Sequence, residues 1–185
     1  MKGHVERIER HYAACWAAPV AARRWRAGPI EEVSPEFRVL VVPRAADTAA
    51  LATAGMSAPG DASPLELHLL DKTDRLDADL RPVTELLAAV AHFHRTARAL
   101  DVGHTVDFGR PWVEGSGCPH GLVSLPYLDG PALEWMDEPR VRFLWLIPIT
   151  AAEREYKMAR GLEALERKFE GGRVDLSDPL RRSAV

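Results

Sequence analysis

The sequence is poor in cysteine and has no long hydrophobic run. Its 185 residues include only two cysteines, Cys15 and Cys118, whereas small secreted domains usually carry a dense disulfide framework. Residues 1–12 are charged throughout and lack the apolar core of a signal peptide. No apolar run approaches the roughly 20 residues that span a bilayer. We therefore expect a cytoplasmic protein that does not interact with a membrane.

A basic excess is also absent. The formal net charge is −3, which argues against direct binding of nucleic acid. The charge is unevenly distributed: residues 1–44 carry eight Lys or Arg and five acids, whereas residues 101–140 carry seven acids and two arginines. If the central acids are exposed together, they favour a basic partner. The alternative is a solvated acidic surface that binds nothing.

Hydrophobic periodicity predicts both helices and strands. Apolar residues at helical spacing predict an amphipathic helix within residues 1–20, which ends before Pro19. Short β-branched or alternating runs predict strands. In Leu65–Leu70 the leucines at 65, 67 and 69 share one face and Glu66 and His68 share the other, which is typical of a half-buried strand. The predicted strands are Phe37–Val42, residues 47–60 in part, Leu65–Leu70, Thr105–Phe108, Leu122–Leu128 and Val141–Ile149.

The segment Val141–Ile149 is apolar on both faces, as expected for a central strand that is buried on two sides. Pro148 indicates that the end of this strand lies at a sheet edge or a bulge. Pro82 opens the longest predicted helix, whose apolar stripe extends to Leu100 and which ends at Gly103.

Thr150 and Glu153 form a capping box at the start of a last helix. Its inward residues are predicted to be Met158, Leu162, Leu165 and Phe169. Residues 174–185 have little to pack against, so we expect a loosely packed tail. The whole pattern predicts an α+β protein, with one domain over residues 1–185 and a mixed, mostly antiparallel central sheet flanked by helices.

No constellation of residues names a reaction. His104, Asp107, Cys118 and His120 are the residue types that bind zinc, but their spacing matches no recognised zinc site. Cys118 lies in a glycine-rich turn, without the helix start or neighbouring cation that lowers a thiol pKa. We expect no metal, cofactor or catalytic residue, and a metal-dependent or thiol enzyme that uses these four residues is the alternative. A regulatory domain that binds a small ligand is another.

Two tryptophans lie in loops rich in proline and glycine, where no periodicity requires burial. Together with nearby acids they would form an aromatic and acidic surface of the kind that anchors a protein partner. In the alternative interpretation, the tryptophans close the ends of the core. The partner-binding candidates are Trp112, Glu114, Asp129, Glu134, Trp135 and Asp137.

The order of motifs along the chain resembles the suppressor of fused family in its bacterial single-domain form. The resemblance extends over nearly the full chain. The motifs that carry it are Gly28-Pro29-Ile30 before Phe37–Pro43, residues 52–57, Leu65–Leu70, Arg81-Pro82, Gly103-His104-Thr105, Gly109–Val113, Phe143–Glu153 and Gly161–Leu165.

The resemblance implies an interaction domain that is not an enzyme. The resemblance to the animal member of the family implies a cytoplasmic regulator that binds an extended peptide between two domains. This chain resembles the first of those domains, so no peptide-contacting residue is transferred to it. Bacterial relatives imply an immunity protein, which binds one protein partner and neutralises it. That partner is a toxin, often a nuclease, and a basic nuclease would suit the acidic stretch of residues 101–140.

Overall fold

The computed structural model describes residues 2–18, 21–24, 28–44, 48–72, 81–172, 174–178 and 180–185. The strands form one eight-stranded sheet in the order β1-β2-β3-β4-β8-β6-β5, with β7 paired to the start of β8. Only β4 and β8 are parallel, so the predicted α+β class with a mixed, mostly antiparallel sheet is confirmed. The strands are β1 (Ala21–Arg24), β2 (Arg38–Pro43), β3 (Thr48–Ala54), β4 (Leu65–Lys72), β5 (Thr105–Asp107), β6 (His120–Ser124), β7 (Trp135–Asp137) and β8 (Arg140–Ile149). The helices are α1 (Lys2–Trp16), α2 (Ile30–Val33), α3 (Arg81–Thr96), α4 (Pro131–Glu134), α5 (Ala151–Arg160) and α6 (Leu162–Gly171).

Strand β8 is the centre of the molecule, as its two apolar faces predict. Leu144 and Leu146 belong to a core that includes the buried face of α3. Phe143, Trp145 and Ile147 belong to a second core, which α1, α4 and α6 cover on the opposite face of the sheet. Pro148 lies beyond the last residue pair between β8 and β4, where its missing N–H breaks no ladder bond to β4.

The prediction that β4 is half-buried is wrong. Glu66 and His68 face the second core, and both are fully buried. Helix α1 covers this face, so the Glu66 carboxylate is matched with partners inside the protein instead of with water. The Glu66 carboxylate accepts hydrogen bonds from the Thr53 and Ser57 hydroxyls at 2.6 and 2.7 Å. The backbone N–H groups of residues 55–57 also donate to it.

The longest helix is shorter than predicted. Helix α3 ends at Thr96, not at Gly103, and Leu100 lies in a loop. Leu100 remains buried because this loop folds back onto the helix, where the Leu100 N–H donates to His94 Nδ1 at 2.9 Å. In the sequence, Leu100 continues the apolar spacing of α3 although it lies in the loop after the helix. The predicted helix is therefore too long.

The last predicted helix is two helices. The capping box is confirmed: Thr150 accepts from the Glu153 N–H, and the Glu153 carboxylate accepts from the Thr150 N–H. Helix α5 then ends at Gly161, whose φ of +88° lies in the left-handed region that favours glycine. The change of direction leaves Met158 68% exposed, contrary to the prediction, while Leu165 and Phe169 are buried as expected.

The tail, which the sequence predicts to be loosely packed, makes one buried contact with the rest of the fold. Arg181 is only 9% exposed, and its guanidinium donates to both carboxylate oxygens of Glu153 at 2.6 and 2.7 Å. It also donates to the Pro148 carbonyl at the end of β8. Burial alone would raise the pKa of Glu153, but the bonds and charge of Arg181 outweigh this effect and hold the pKa below its usual value. The tail is therefore fixed to the end of β8 by a buried ion pair.

Replacement of Arg181 by Ala should strongly destabilise the fold. It leaves the buried Glu153 carboxylate without its cation, which costs about 3–5 kcal/mol for a buried pair. Urea unfolding followed by tryptophan fluorescence measures the loss. The control is Arg182→Ala at the next, exposed position. Equal stability of the two variants would contradict the assigned role of Arg181.

Glu66 should make stability depend on pH. Burial raises the pKa of Glu66 from 4.5 to about 7, although the bonds from Thr53 and Ser57 act in the opposite direction. The native protein therefore binds this proton more tightly than the unfolded chain does. The stability that the proton provides is full below pH 4.5 and is lost as the pH rises through about 7.

The comparison is made with Glu66→Gln, which keeps the shape and cannot titrate. From about pH 5 to about pH 8, the unfolding free energy of the native protein should fall relative to that of the variant, on the order of 3 kcal/mol. The difference in unfolding free energy between the native protein and the variant does not contain the contribution of the buried His4. Burial lowers the pKa of His4, so its contribution to stability rises with pH, opposite to that of Glu66. A difference that does not vary with pH would refute the assignment.

Candidate partner-binding surfaces

The six candidate residues do not form one surface. Glu134, Trp135 and Asp137 lie on or next to β7, which pairs with Arg140–Arg142 at the start of β8. Trp112 and Glu114 lie in the loop that leads to β6, whose first residue pairs with Ile149 at the other end of β8. At about 3.3 Å per residue, the two ends of β8 are roughly 20 Å apart or more.

Trp112 is not a surface anchor. It is fully buried in the core beneath α3, together with Val113 and Cys118. The loop over residues 109–118 folds inward here, and the backbone N–H of Trp112 donates to the backbone carbonyl of Cys118 at 3.3 Å. The alternative interpretation, in which a tryptophan closes the end of the core, therefore describes Trp112. Glu114 is exposed in the same loop.

Asp129 is also buried, with a side chain only 2% exposed. Its Oδ1 accepts from the Trp16 indole at 2.7 Å and from Arg44 at 2.5 Å. Its Oδ2 lies 3.3 Å from Nε2 of the buried His68. Burial alone would raise the pKa of Asp129, but His68, Arg44 and Trp16 outweigh it and lower the pKa. Asp129 therefore joins α1, β4 and the chain after β2, and it does not belong to an exposed acidic surface.

Of the remaining candidates, Glu134 and Asp137 lie close to Trp135 on or next to β7, and Trp135 itself is 39% exposed. Two arginine side chains lie against its ring, with guanidinium carbons 4.7 Å (Arg140) and 5.2 Å (Arg142) from the ring centroid. Arg142 also donates to Glu134 at 2.9 Å and to Asp101 at 2.7 Å. We call this group, Asp101, Glu134, Trp135, Arg140 and Arg142, the Trp135 surface.

An open pocket of about 690 Å³ adjoins the Trp135 surface. Its other walls come from residues 61–65 before and in β4, from the loop 99–101 after α3, and from His104. Leu65, Leu100 and Leu144 of this lining belong to the core under α3, which holds the walls of the pocket in place. Such a concave site beside a fixed aromatic ring can receive a side chain or a chain segment of a partner.

Sequence reasoning missed the two arginines of this surface. The predicted strand Val141–Ile149 starts after Arg140 and includes Arg142, but the alternation of these arginines with Val141 also indicates side chains that face away from one core. The signal was incomplete because β7, a strand of three residues, was not predicted. Without β7, nothing in the sequence places Trp135 opposite Arg142.

The four residues of the enzyme alternative do not converge. His120 Nδ1 lies 3.7 Å from Asp107 Oδ1, but His104 lies opposite Val123, three residues further along β6. Cys118 is buried, and burial raises its thiol pKa, which disfavours the reactive thiolate. In the part of the chain that the structure describes, no group of three or more His, Cys, Asp or Glu residues could hold a metal ion. None of the described helices is long and apolar enough to cross a bilayer.

Comparison with known proteins identifies the family. The family model described as suppressor of fused protein (SUFU) matches residues 34–182. The chain belongs to the suppressor of fused family. The crystal structure of a SUFU homolog from Neisseria gonorrhoeae FA 1090 is 31% identical, with a TM-score of 0.85, and the match covers 100% of this chain and 98% of that chain.

Two other suppressor of fused structures share the fold at low identity. The structure of the Sufu–Fu complex is 12% identical with a TM-score of 0.69, and the match covers 98% of this chain and 92% of that chain. Drosophila Suppressor of Fused is 12% identical with a TM-score of 0.64, and the match covers 96% of this chain but 50% of that chain. A search of curated proteins found no match.

Substitution of Asp129 should affect folding. Asp129→Ala removes the acceptor of the Trp16 indole and the carboxylate that neutralises Arg44, and we expect a loss of about 2–3 kcal/mol in unfolding free energy. The exposed acid Asp137 is the matched control, and Asp137→Ala should change stability by less than about 0.5 kcal/mol. Urea unfolding measures both. If both variants lose the same small amount of unfolding free energy, the assignment of Asp129 as a buried partner of Trp16 and Arg44 is wrong.

Proposed function

We propose that this chain is a protein-binding module that forms a one-to-one complex with one partner. More specifically, we propose an immunity protein that neutralises a basic toxin such as a nuclease. The observation that carries the proposal is the exposed Trp135 ring, with two arginines lying against it beside an open pocket. The family supports it as well, because one suppressor of fused structure is that of a complex of Sufu with Fu.

The Trp135 surface has the composition of an interaction hot spot. Tryptophan and arginine are the residue types that most often dominate binding energy in interfaces. Here the ring is ordered before any partner arrives, since Arg140 stacks on it and Arg142 is fixed by Glu134 and Asp101. A side chain that is already ordered loses little entropy on binding, so more of the contact energy contributes to affinity.

The charges near this surface favour a basic partner. Asp137 and Glu138 are exposed at the turn between β7 and β8, next to the Trp135 surface. Asp107 and Glu114 are exposed in or after β5, at a distance from it. Proteins that bind the nucleic-acid backbone are basic, and acidic groups steer such partners into a complex and set its orientation. This supports a nuclease toxin as the class of partner.

Trp135→Ala should weaken the complex. The partner is first identified by co-purification with the tagged chain from its native host. Its toxicity is then measured when it is expressed alone and when this chain is co-expressed. Loss of the Trp135 side chain should then raise the Kd roughly thirtyfold, which corresponds to about 2 kcal/mol for a hot-spot residue. Isothermal titration calorimetry measures the change.

Met158→Ala provides the matched control, because Met158 is a large hydrophobic residue that is also exposed, on α5. It should leave the Kd unchanged. A Trp135→Ala variant that is folded and binds with native affinity would show that the partner docks elsewhere. A partner that forms a complex but is not toxic would support the binding module and contradict the immunity role.

A further inference from the structure

A second concave site lies on the opposite face of the sheet from the Trp135 pocket. It is an open cleft of about 440 Å³, within the size range of ligand-binding pockets. Its floor is formed by Leu70, Trp145 and Ile147, and Phe169 of α6 forms one wall. The tail segment 174–177 forms another wall, and the anchored Arg181 holds that tail in place. We call this site the α6 cleft.

The opening of the α6 cleft exposes apolar surface. Tyr127 and Leu128, in the turn after β6, are 55% and 68% exposed and line the cleft. They adjoin an apolar floor that continues the second core. Adjacent exposed hydrophobic side chains beside a concavity are a feature of surfaces that bind other molecules.

The charge on the α6 cleft is negative. Glu166 and Glu170 both line it, one helical turn apart on α6. Glu166 Oε1 accepts from the hydroxyls of Ser124 and Tyr127 at 3.0 Å each, but neutral donors do not cancel its charge. Like charges four residues apart destabilise a helix. A cation bound between them would remove that repulsion.

The other acids of the cleft already have cations. Asp129 at the floor is paired with Arg44, and Asp175 lies 3.1 Å from Lys72. Among the described acids that line the cleft, Glu166 and Glu170 are therefore the two that have no cation, and they lie next to the exposed Tyr127. Burial and the neighbouring Glu166 raise the pKa of Tyr127, so its hydroxyl stays protonated and keeps donating to Glu166.

We infer that the α6 cleft binds a segment of a protein partner in which a lysine or arginine stands next to a large hydrophobic side chain. The hydrophobic side chain fills the floor against Trp145 and Phe169, and the cation lies between Glu166 and Glu170. This inference rests on the proposed protein-binding function and names the chemistry of a second contact. The negative charge of the cleft selects a basic segment over an acidic one.

The test uses synthetic peptides and does not require the natural partner. The probe is N-acetyl-phenylalanyl-arginine amide, and its matched control is N-acetyl-phenylalanyl-glutamate amide. Binding is followed by the indole N–H signal of Trp145 in protein labelled with ¹⁵N-tryptophan, assigned with a Trp145→Phe variant. The arginine peptide should shift this signal in a saturable manner, and the glutamate peptide should leave it unchanged.

The double variant Glu166→Gln/Glu170→Gln should bind the arginine peptide about tenfold more weakly. Glutamine keeps the acceptor for Tyr127 and Ser124, so the fold is preserved. The control, Glu155→Gln/Glu163→Gln, removes two exposed acids from α5 and α6 and should bind as the native protein does. Equal binding of both peptides, or an unchanged affinity of the first variant, would overturn the inference.

Two further outcomes are informative. If 2-phenylethylammonium binds as tightly as the arginine peptide, the cleft is a site for small organic cations and the assignment to a protein segment is wrong. If the peptides fail to bind while Trp135→Ala still weakens the natural complex, the cleft inference fails and the proposed function stands.

Discussion

The double-sided burial of β8 is the constraint on which the rest of the structure depends. An apolar residue on each face of a strand needs cover on each face, and two separate cores provide it, one under α3 and one under α1, α4 and α6. The last elements of the chain cover the second core. These are α6 and the tail, which Arg181 joins to Glu153. The α6 cleft lies beside Trp145, which is itself only 3% exposed.

Three buried carboxylates also hold elements of the fold together. Glu66 is satisfied by the backbone of a turn, Asp129 by Trp16 and Arg44, and Glu153 by Arg181 and its own helix start. Each carboxylate connects elements that hydrophobic contact alone would leave free to slide. A buried charge without its partner is costly, so these groups favour one arrangement of α1, the turn after β6 and the tail over nearby alternatives.

Sequence patterns predicted the features that depend on residues close along the chain or on a regular spacing of apolar residues. The capping box at Thr150 needs only Glu153, and β8 needs only its own two faces. Arg181 pairs with a residue 28 positions away, and Asp129 pairs with Trp16 across 113 positions. Neither pair has a local signal. The sequence left open whether the two tryptophans are exposed: Trp135 is exposed, whereas Trp112 is buried by a loop whose path no periodicity specifies.

The alternation of β8 separates the two candidate sites. Arg142 and Leu144 line the Trp135 pocket, whereas Trp145 and Ile147 line the α6 cleft, and neighbouring residues of a strand face opposite sides of the sheet. One compact domain of a partner therefore cannot cover both sites by a flat contact. A partner that uses both must pass a segment around the edge of the sheet or around α6. In that case the two sites contribute to affinity almost independently, because substitutions far apart with no shared contacts are close to additive.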